Sequence, residues 1–558
     1  MFRFATGSVL AFLFASVPTP LSGQTDTTAS VPRAFALLQQ SRYPEAVRML
    51  ETITARDSNT PRAWSLLGVA RLRAGDLPGA LNAELKATTF PATRPGALYN
   101  TGLIYGAMGQ RDSAFAFLLH AKATGRVNMT QIGTDQDAAA LKNDSRLAEL
   151  YPTAAEFAHP FAEPVTILRE WDGEAQGDQF GWIARDAGDL DGDGIHDVTT
   201  SAPSSGAGGA MSGRVYAYST ASGKLLWMNT GAAGDQLGLG IEAAGDVNRD
   251  GIPDIIAGSP GAGKAYVFSG KDGSTLRTMV AEDSADAFGQ HVSDLGDVNH
   301  DGYADVMVGA PMNGAGGEHA GRAYVYSGKD GSILLTLTGE APGDNYGTTV
   351  AGAVRGNLFW ILVGAGSAGP NHSGRTYVYR GLNRTPAFVI ESDSTGSSLG
   401  SMFISVVGDI DKDGTPDIYA SDWSNNANGR STGRIYVHSG RTGQRLLALT
   451  GENAGDGFGI GSAEAGDVNQ DGFDDLVIGA WQFAGRAPSG GKIYVYSGKD
   501  GTLLRAITGI VPGETLGFDA TGLGDVNHDD VPDLLVTSAW SAIRGTQSGR
   551  VFVLSGKP

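Results

Sequence analysis

The sequence predicts a two-part fold: an all-α helical repeat followed by an all-β propeller of seven blades. Three observations carry this reading. A 34-residue period runs through the early chain, with Ala46, Ala80 and Ala114 at equivalent places. A second period of about 57 residues starts near residue 160 and continues to the end. Glycine supplies 82 of 558 residues, about twice its usual share, and it lacks the three-residue period of collagen. The apolar content of 41% is ample for a core and excludes a disordered chain.

The helical part is the easier to justify. Segments such as PEAVRMLETI, AWSLLGVARL and SAFAFLLHAKA show apolar residues at helical spacing. Gly68/Gly102 and Gly75/Gly109 are also 34 apart, and small residues at fixed places let paired helices approach closely. On these residues the region resembles a tetratricopeptide array. Its second unit carries Trp64, Leu67, Gly68, Gly75, Ala80 and Ala87, and its third carries Leu98, Gly102, Tyr105, Gly109, Ala114 and Ala121. The first unit lacks the Trp and Gly. Residues 128–158 keep a helical pattern and are expected to cap the stack.

The second period reads, per unit, L-x-x-L-x-G-E-x-x-G-D-x-F-G, then G-D-V-N-x-D-G-x-x-D, then V-G-A-P, then G-R-x-Y-V-Y-S-G-K-D-G. Acidic loops begin at Asp189, Asp246, Asp297, Asp409, Asp467 and Asp525, at gaps of 57, 51, 112, 58 and 58. The gap of 112 is two units, and residues 345–366 supply the missing one without an acidic loop. Runs such as Tyr324–Ser327 and Tyr494–Ser497 are β-branched and aromatic, and they end in turn chemistry. Four short strands per unit, repeated seven times, argue for a propeller. The chain stops one strand short of a full unit, and residues 164–173 match the missing strand. That strand is expected to complete the last blade.

The repeat resembles the FG-GAP family, the propeller of integrin α subunits and of many exported bacterial proteins. FG stands as Phe180-Gly181, Phe288-Gly289 and Phe458-Gly459, and GAP as Gly309-Ala310-Pro311. The resemblance implies that the metal loops lie on one face of the disc and the loops after the GAP strand on the other.

The loop D-x-[DN]-x-[DN]-G-x-x-D resembles an EF-hand loop cut to nine residues, and it gathers hard oxygens as Ca²⁺ requires. The side-chain sets are Asp189, Asp191, Asp193, Asp197; Asp246, Asn248, Asp250, Asp254; and Asp297, Asn299, Asp301, Asp305. They continue with Asp409, Asp411, Asp413, Asp417; Asp467, Asn469, Asp471, Asp475; and Asp525, Asn527, Asp529, Asp533. In the last loop Asp530 replaces the turn glycine. Oxygen-only donors favour Ca²⁺ over transition metals, giving about six structural sites. The alternative is ion-free Asp/Asn turns. The ligand positions of the loops hold 20 carboxylates against a net charge of −19, so the acidity sits in them and a nucleic-acid partner is excluded.

There is no cysteine, which excludes disulfides, thiolate metal sites, thiol nucleophiles and a lipidated N-terminal anchor. Residues 1–23 read as a secretory signal: Arg3, the apolar run Val9–Val17, then Pro18 and Pro20. The run is shorter than the ~20 residues that span a bilayer; the alternative is a buried helix. The expected domains are a helical repeat at 24–158 and a propeller at 159–558. GSPGAGK at 258–264 mimics a phosphate loop, but Ala265 and a following strand argue against it. Gly429–Gly433 matches G-x-S-x-G in a polar loop, away from any strand-to-helix elbow. Trp423, Trp481, Phe483 and Trp540, with Arg486 and Arg544, recur after the GAP strand in three adjacent units. They form either a protein- or glycan-contacting patch or packing between blades. The leading expectation is an exported, non-enzymatic binding or adhesion scaffold. The alternative is a polysaccharide lyase or hydrolase, betrayed by an acid/base pair in the central funnel.

Overall fold

Small residues at 34-residue spacing do pack paired helices. The computed structural model describes residues 29–355 and 358–557; the expected signal segment lies outside them. Val31–Gln39 pairs with Tyr43–Arg56, Pro61–Arg73 with Leu77–Thr88, and Arg94–Ala107 with Arg111–Ala123. Ala46, Ala80 and Ala114 are fully buried. A Cβ on Gly102 would stand 2.7 Å from Leu118 Cγ, so this glycine sets how closely its helix pair approaches. The cap is built from three 3₁₀ turns, Met129–Gly133, Gln136–Leu141 and Ser145–Glu149. Asn128, Asp135 and Asp144 each accept the backbone N–H two residues on, a local bond that competes with α-helix. Met129, Ile132 and Leu141 then pack with Leu98, Leu103 and Leu118.

The chain divides between Ala154 and Ala155 into two compact units. The second contains 28 strands in seven four-stranded sheets. Six are meanders of consecutive strands, spanning 184–230, 241–280, 292–338, 346–391, 404–450 and 458–508. Their first strands, with Ala520–Gly524 of the seventh sheet, neighbour one another in a closed cycle, so the sheets are blades around an axis with the first strand innermost. Second strands such as Asp254–Ser259 and Asp475–Ala480 are buried from end to end, which explains their small and apolar sequence. In the fourth blade, Tyr346–Arg355 pairs directly with Leu358–Ala365, and this hairpin replaces the acidic loop.

The seventh blade joins Ala520–Gly524, Asp533–Ser538 and Arg550–Leu554 to Ile167–Asp172. The early strand pairs antiparallel with the last one, with Trp171 opposite Val551, so the ring closes by backbone pairing of the unit's two ends. A buried ion-pair cluster reinforces the seam. Arg550, nearly inaccessible to solvent, pairs with Glu170 and Asp172 of the closing strand and with the buried Glu514 at 3.1 Å.

The glycines of the FG and GAP motifs are inter-blade joints, as where a Cβ on Gly309 would stand 2.1 Å from the Gly347 carbonyl of the next blade, whereas each FG phenylalanine meets a tyrosine of its own blade. Phe180, Phe288 and Phe458 are buried and pack edge-on against Tyr216, Tyr324 and Tyr494. Gly181 has φ 79°, and a Cβ there would stand 2.7 Å from the Arg550 carbonyl of the seventh blade. Between blades, the Arg or Lys that opens the third strand reaches back to an acidic residue at the end of the preceding blade. The pairs are Arg214–Glu174, Arg322–Glu282, Arg375–Glu340, Arg434–Asp393 and Lys492–Glu452. They give the G-E and G-R dipeptides of the repeat a physical role that the sequence reading did not assign.

Candidate metal loops and the opposite face

Each acidic loop joins the first strand of a blade to the second, so all six emerge at one end of the disc. The fourth loop residue lies in the left-handed region in every case: Gly192, Arg249, His300, Lys412, Gln470 and His528. The sixth does too, at φ 85–87° for the five glycines and 67° for Asp530. Asp530 therefore adopts the turn that glycine makes elsewhere. Its N–H donates to Asp525 at 2.8 Å, just as Gly194 N–H donates to Asp189 at 2.9 Å.

Position one turns its oxygens into the loop and accepts backbone N–H groups from positions five and six, as Asp246 does from Asp250 and Gly251. Position nine has a second task. Asp197, Asp254, Asp305, Asp417, Asp475 and Asp533 are all fully buried. One oxygen of each accepts the N–H of loop position two, as from Leu190 at 2.9 Å. The other accepts an N–H from the residues just after the blade's third strand, as from Thr220 at 3.0 Å. This residue ties the loop to the end of its own blade's third strand. Burial first, and then repulsion from the other loop carboxylates, pushes Asp197, Asp254, Asp305 and Asp475 up to about 6 and Asp417 up to about 7, against the pull of those N–H groups.

The donor set fits a hard cation. Carboxylate oxygens of Asp189, Asp191 and Asp197 lie within 4.8 Å of one another, as do those of Asp409, Asp411 and Asp413. Two buried acceptors in the loops have no hydrogen-bond partner: Asp413 Oδ1 and Asn527 Oδ1. Oxygens of this kind, concentrated where like charges converge, are the groups an ion would satisfy. Of the loop histidines, His196 is partnered, with Nδ1 2.8 Å from Asp186 Oδ2.

The loops between second and third strands emerge at the opposite end. There Trp423, Trp481, Phe483 and Trp540 do come together, in one cluster that also takes in Phe518, Trp182 and Met402. Trp481 meets Trp540 edge-on at 4.6 Å and Phe518 at 5.6 Å. Trp481 is only 3% exposed and Phe483 only 7%. These two rings take the packing alternative: the loops of adjacent blades close over them. Trp423 and Trp540 are half-buried, and Arg486 and Arg544 are exposed. The sequence reading missed Trp182 and Phe518. The signal was available, because each directly follows the FG-equivalent glycine that leads into an innermost strand.

Deeper on the axis, Arg185 of the first blade donates to Glu242 of the second at 2.7 Å and to Asp519 of the seventh at 2.5 Å. Both carboxylates are thus committed to one guanidinium that pins three blades. Nearby His291 is held neutral, its pKa brought down to about 4 by burial and by Arg185.

A model of the FG-GAP repeat matches residues 186–218, 292–326 and 461–496, and one of an FG-GAP-like repeat matches 246–308. The propeller is built of FG-GAP repeats. A tetratricopeptide repeat model matches residues 33–97, within the paired helices. Among curated proteins, the chain is similar to integrin alpha-3 of Cricetulus griseus, 28% identical over 329 residues, which is 54% of this chain and 24% of the relative. It is 34% identical to integrin alpha pat-2 of Caenorhabditis briggsae over 212 residues, 32% of this chain and 17% of the relative. It is 31% identical to integrin alpha-8 of Homo sapiens over 261 residues, 42% and 23% respectively. The chain thus spans about a quarter or less of these relatives' length. Among the described residues, no helix is long and apolar enough to cross a membrane.

Proposed function

We propose that this chain is an exported, Ca²⁺-binding adhesion or interaction scaffold, with residues 1–23 removed, a helical repeat at 24–158 and the FG-GAP propeller at 159–558. The observation that carries the reading is the repetition of one oxygen-lined loop on six blades of an integrin α-like propeller. In each loop the side chains at positions one, three, five and nine would hold the ion. A backbone carbonyl at position seven would join them: Ile195, Ile252, Tyr303, Thr415, Phe473 or Val531. The bound ion would neutralise carboxylates that otherwise repel, and so stabilise the blade ends. Extracellular Ca²⁺ modules bind at about 10⁻⁴–10⁻³ M, which suits a structural role outside the cell.

The opposite face would meet the partner, a surface protein or a glycan. Trp423 and Trp540, with Arg486 and Arg544, are the side chains of the expected patch that reach solvent. Trp and Arg are the residue types most enriched in binding hot spots. The non-enzymatic reading is supported by the central carboxylates, since Glu242 and Asp519 are both engaged by Arg185. The test is an array of extracellular proteins and glycans probed with the full chain in calcium. Saturable binding that Trp540→Ala and Arg486→Ala weaken at least tenfold is the expected result. Saturable binding that neither substitution weakens would move the partner site elsewhere, and turnover of a glycan would replace the scaffold reading.

A further inference from the structure

The acidic loops of the last three blades are strapped to one another. Lys412, fourth in the loop that starts at Asp409, donates through Nζ to the carbonyl of Gly472, sixth in the next loop. Gln470, fourth in that loop, donates through Nε2 to the carbonyl of Asp530, sixth in the loop after it, at 2.8 Å. The same two positions are joined in both steps. In both, the strapped peptide is also held from its own side: Phe473 N–H donates to Asp471 and Val531 N–H to Asp529, each at 3.1 Å. The residue after each strapped carbonyl is position seven, whose own carbonyl is the candidate ligand. Lys412 also lies over the Phe473 ring, 4.5 Å from its centroid.

Between the second and third blades Arg249, also fourth in its loop, lies against Gly302 and over the Tyr303 ring, 5.3 Å from its centroid, in the place Lys412 takes over Phe473. The loop at Asp189 has Gly192 in the fourth position, with no side chain to reach the second blade. The fourth blade has no acidic loop, so the series begins afresh at Asp409.

We propose that Lys412 and Gln470 are positioning residues that couple calcium binding along the series 409–417, 467–475 and 525–533, while the loop at 189–197 binds independently. The proposal rests on the calcium reading of these loops. An ion that gathers Asp409, Asp411 and Asp413 fixes the backbone of Lys412, which lies between two of its ligands. That fixes the strap, and the strap holds the Gly472–Phe473 peptide in the orientation the next ion requires. Gln470 repeats the step. Linkage makes the effect reciprocal, so filling the last loop favours the first.

The experiment is hydrogen exchange of the full chain, followed by peptide across a calcium titration. In the parent protein, disabling the first loop of the series with Asp409→Asn and Asp411→Asn is expected to raise the calcium midpoint for protection of 467–475 about fivefold or more. The midpoint for 189–197 is expected to stay put. Lys412→Met leaves every loop carboxylate in place; it should raise the 467–475 midpoint by itself and abolish the further shift on disabling the 409 loop. Equal midpoints for 467–475 with and without the 409 loop, or an unchanged midpoint in Lys412→Met, would overturn the coupling while calcium binding stands. Absence of calcium-dependent protection at every loop of the parent would instead remove the calcium reading, and the coupling with it.

Discussion

Trp481 and Trp423 occupy equivalent places in adjacent repeats, yet the fold treats them differently. Trp481 is enclosed by Trp540, Phe518 and Phe483, whereas Trp423 is half-buried and donates to Ser401 Oγ at 3.3 Å. Cutting a buried aromatic ring to Ala costs about 3–5 kcal/mol. Trp481→Ala is therefore expected to lose about that much stability in denaturant unfolding, and Trp423→Ala less than half of it. Equal losses would place Trp423 in the core and remove it from the contact patch. In the helical unit, Glu84 is the residue to test. Burial holds its carboxyl well above 4.5, against the hydrogen bond that Asn100 donates to it at 2.8 Å. The folded state keeps this proton to a higher pH than the unfolded state does. Its contribution is thus fully present below about 4.5 and is lost as pH rises through the raised folded value. Glu84→Gln should flatten that slope, read as the pH dependence of exchange protection across Leu77–Thr88. An identical slope in parent and variant would show that another group sets it.

At the scale of the element, the strands and their closure were legible because period and turn chemistry agree at every repeat. The unpaired last strand and its counterpart at 164–173 could be matched by residue pattern alone. The ion pairs between blades were not legible, since Arg214 and Glu174 lie about 40 residues apart and only the ring geometry brings them together. The double use of position nine was hidden for the same reason: its second hydrogen bond goes to a turn some 23 residues downstream. The 3₁₀ cap was masked by apolar spacing that fits α-helix, until the Asx bonds at Asn128, Asp135 and Asp144 are counted. The repeated ion pairs also differ in a way that can be measured. Arg214 faces a carboxylate that is half exposed, and such pairs contribute about 0–1 kcal/mol. Arg550 faces the fully buried Glu514, and removing one partner of a buried pair costs about 3–5 kcal/mol. Arg550→Ala should therefore lower the melting temperature of the propeller far more than Arg214→Ala. Similar losses would mean the seam is held by backbone pairing alone.

For the whole molecule, the two units differ in what stabilises them. The paired helices bury apolar clusters, while the propeller ends in six loops whose ligand positions hold 20 carboxylates without a single disulfide to brace them. An ion that binds only the folded state adds RT ln(1 + [L]/Kd). At about ten times Kd that is about 1.4 kcal/mol per site, so six sites would supply on the order of 8 kcal/mol. This is comparable to the entire stability of a typical domain, about 5–15 kcal/mol. Calorimetry of the full chain should accordingly resolve two transitions. A chelator should move the propeller transition down by many degrees and leave the helical-repeat transition in place, and restored calcium should reverse the shift. Magnesium at the same concentration should restore less, because it demands tighter octahedral geometry and gives up its water reluctantly. A propeller transition indifferent to the chelator, in protein shown by elemental analysis to carry no calcium, would mean the loops are ion-free turns held by their own backbone N–H groups.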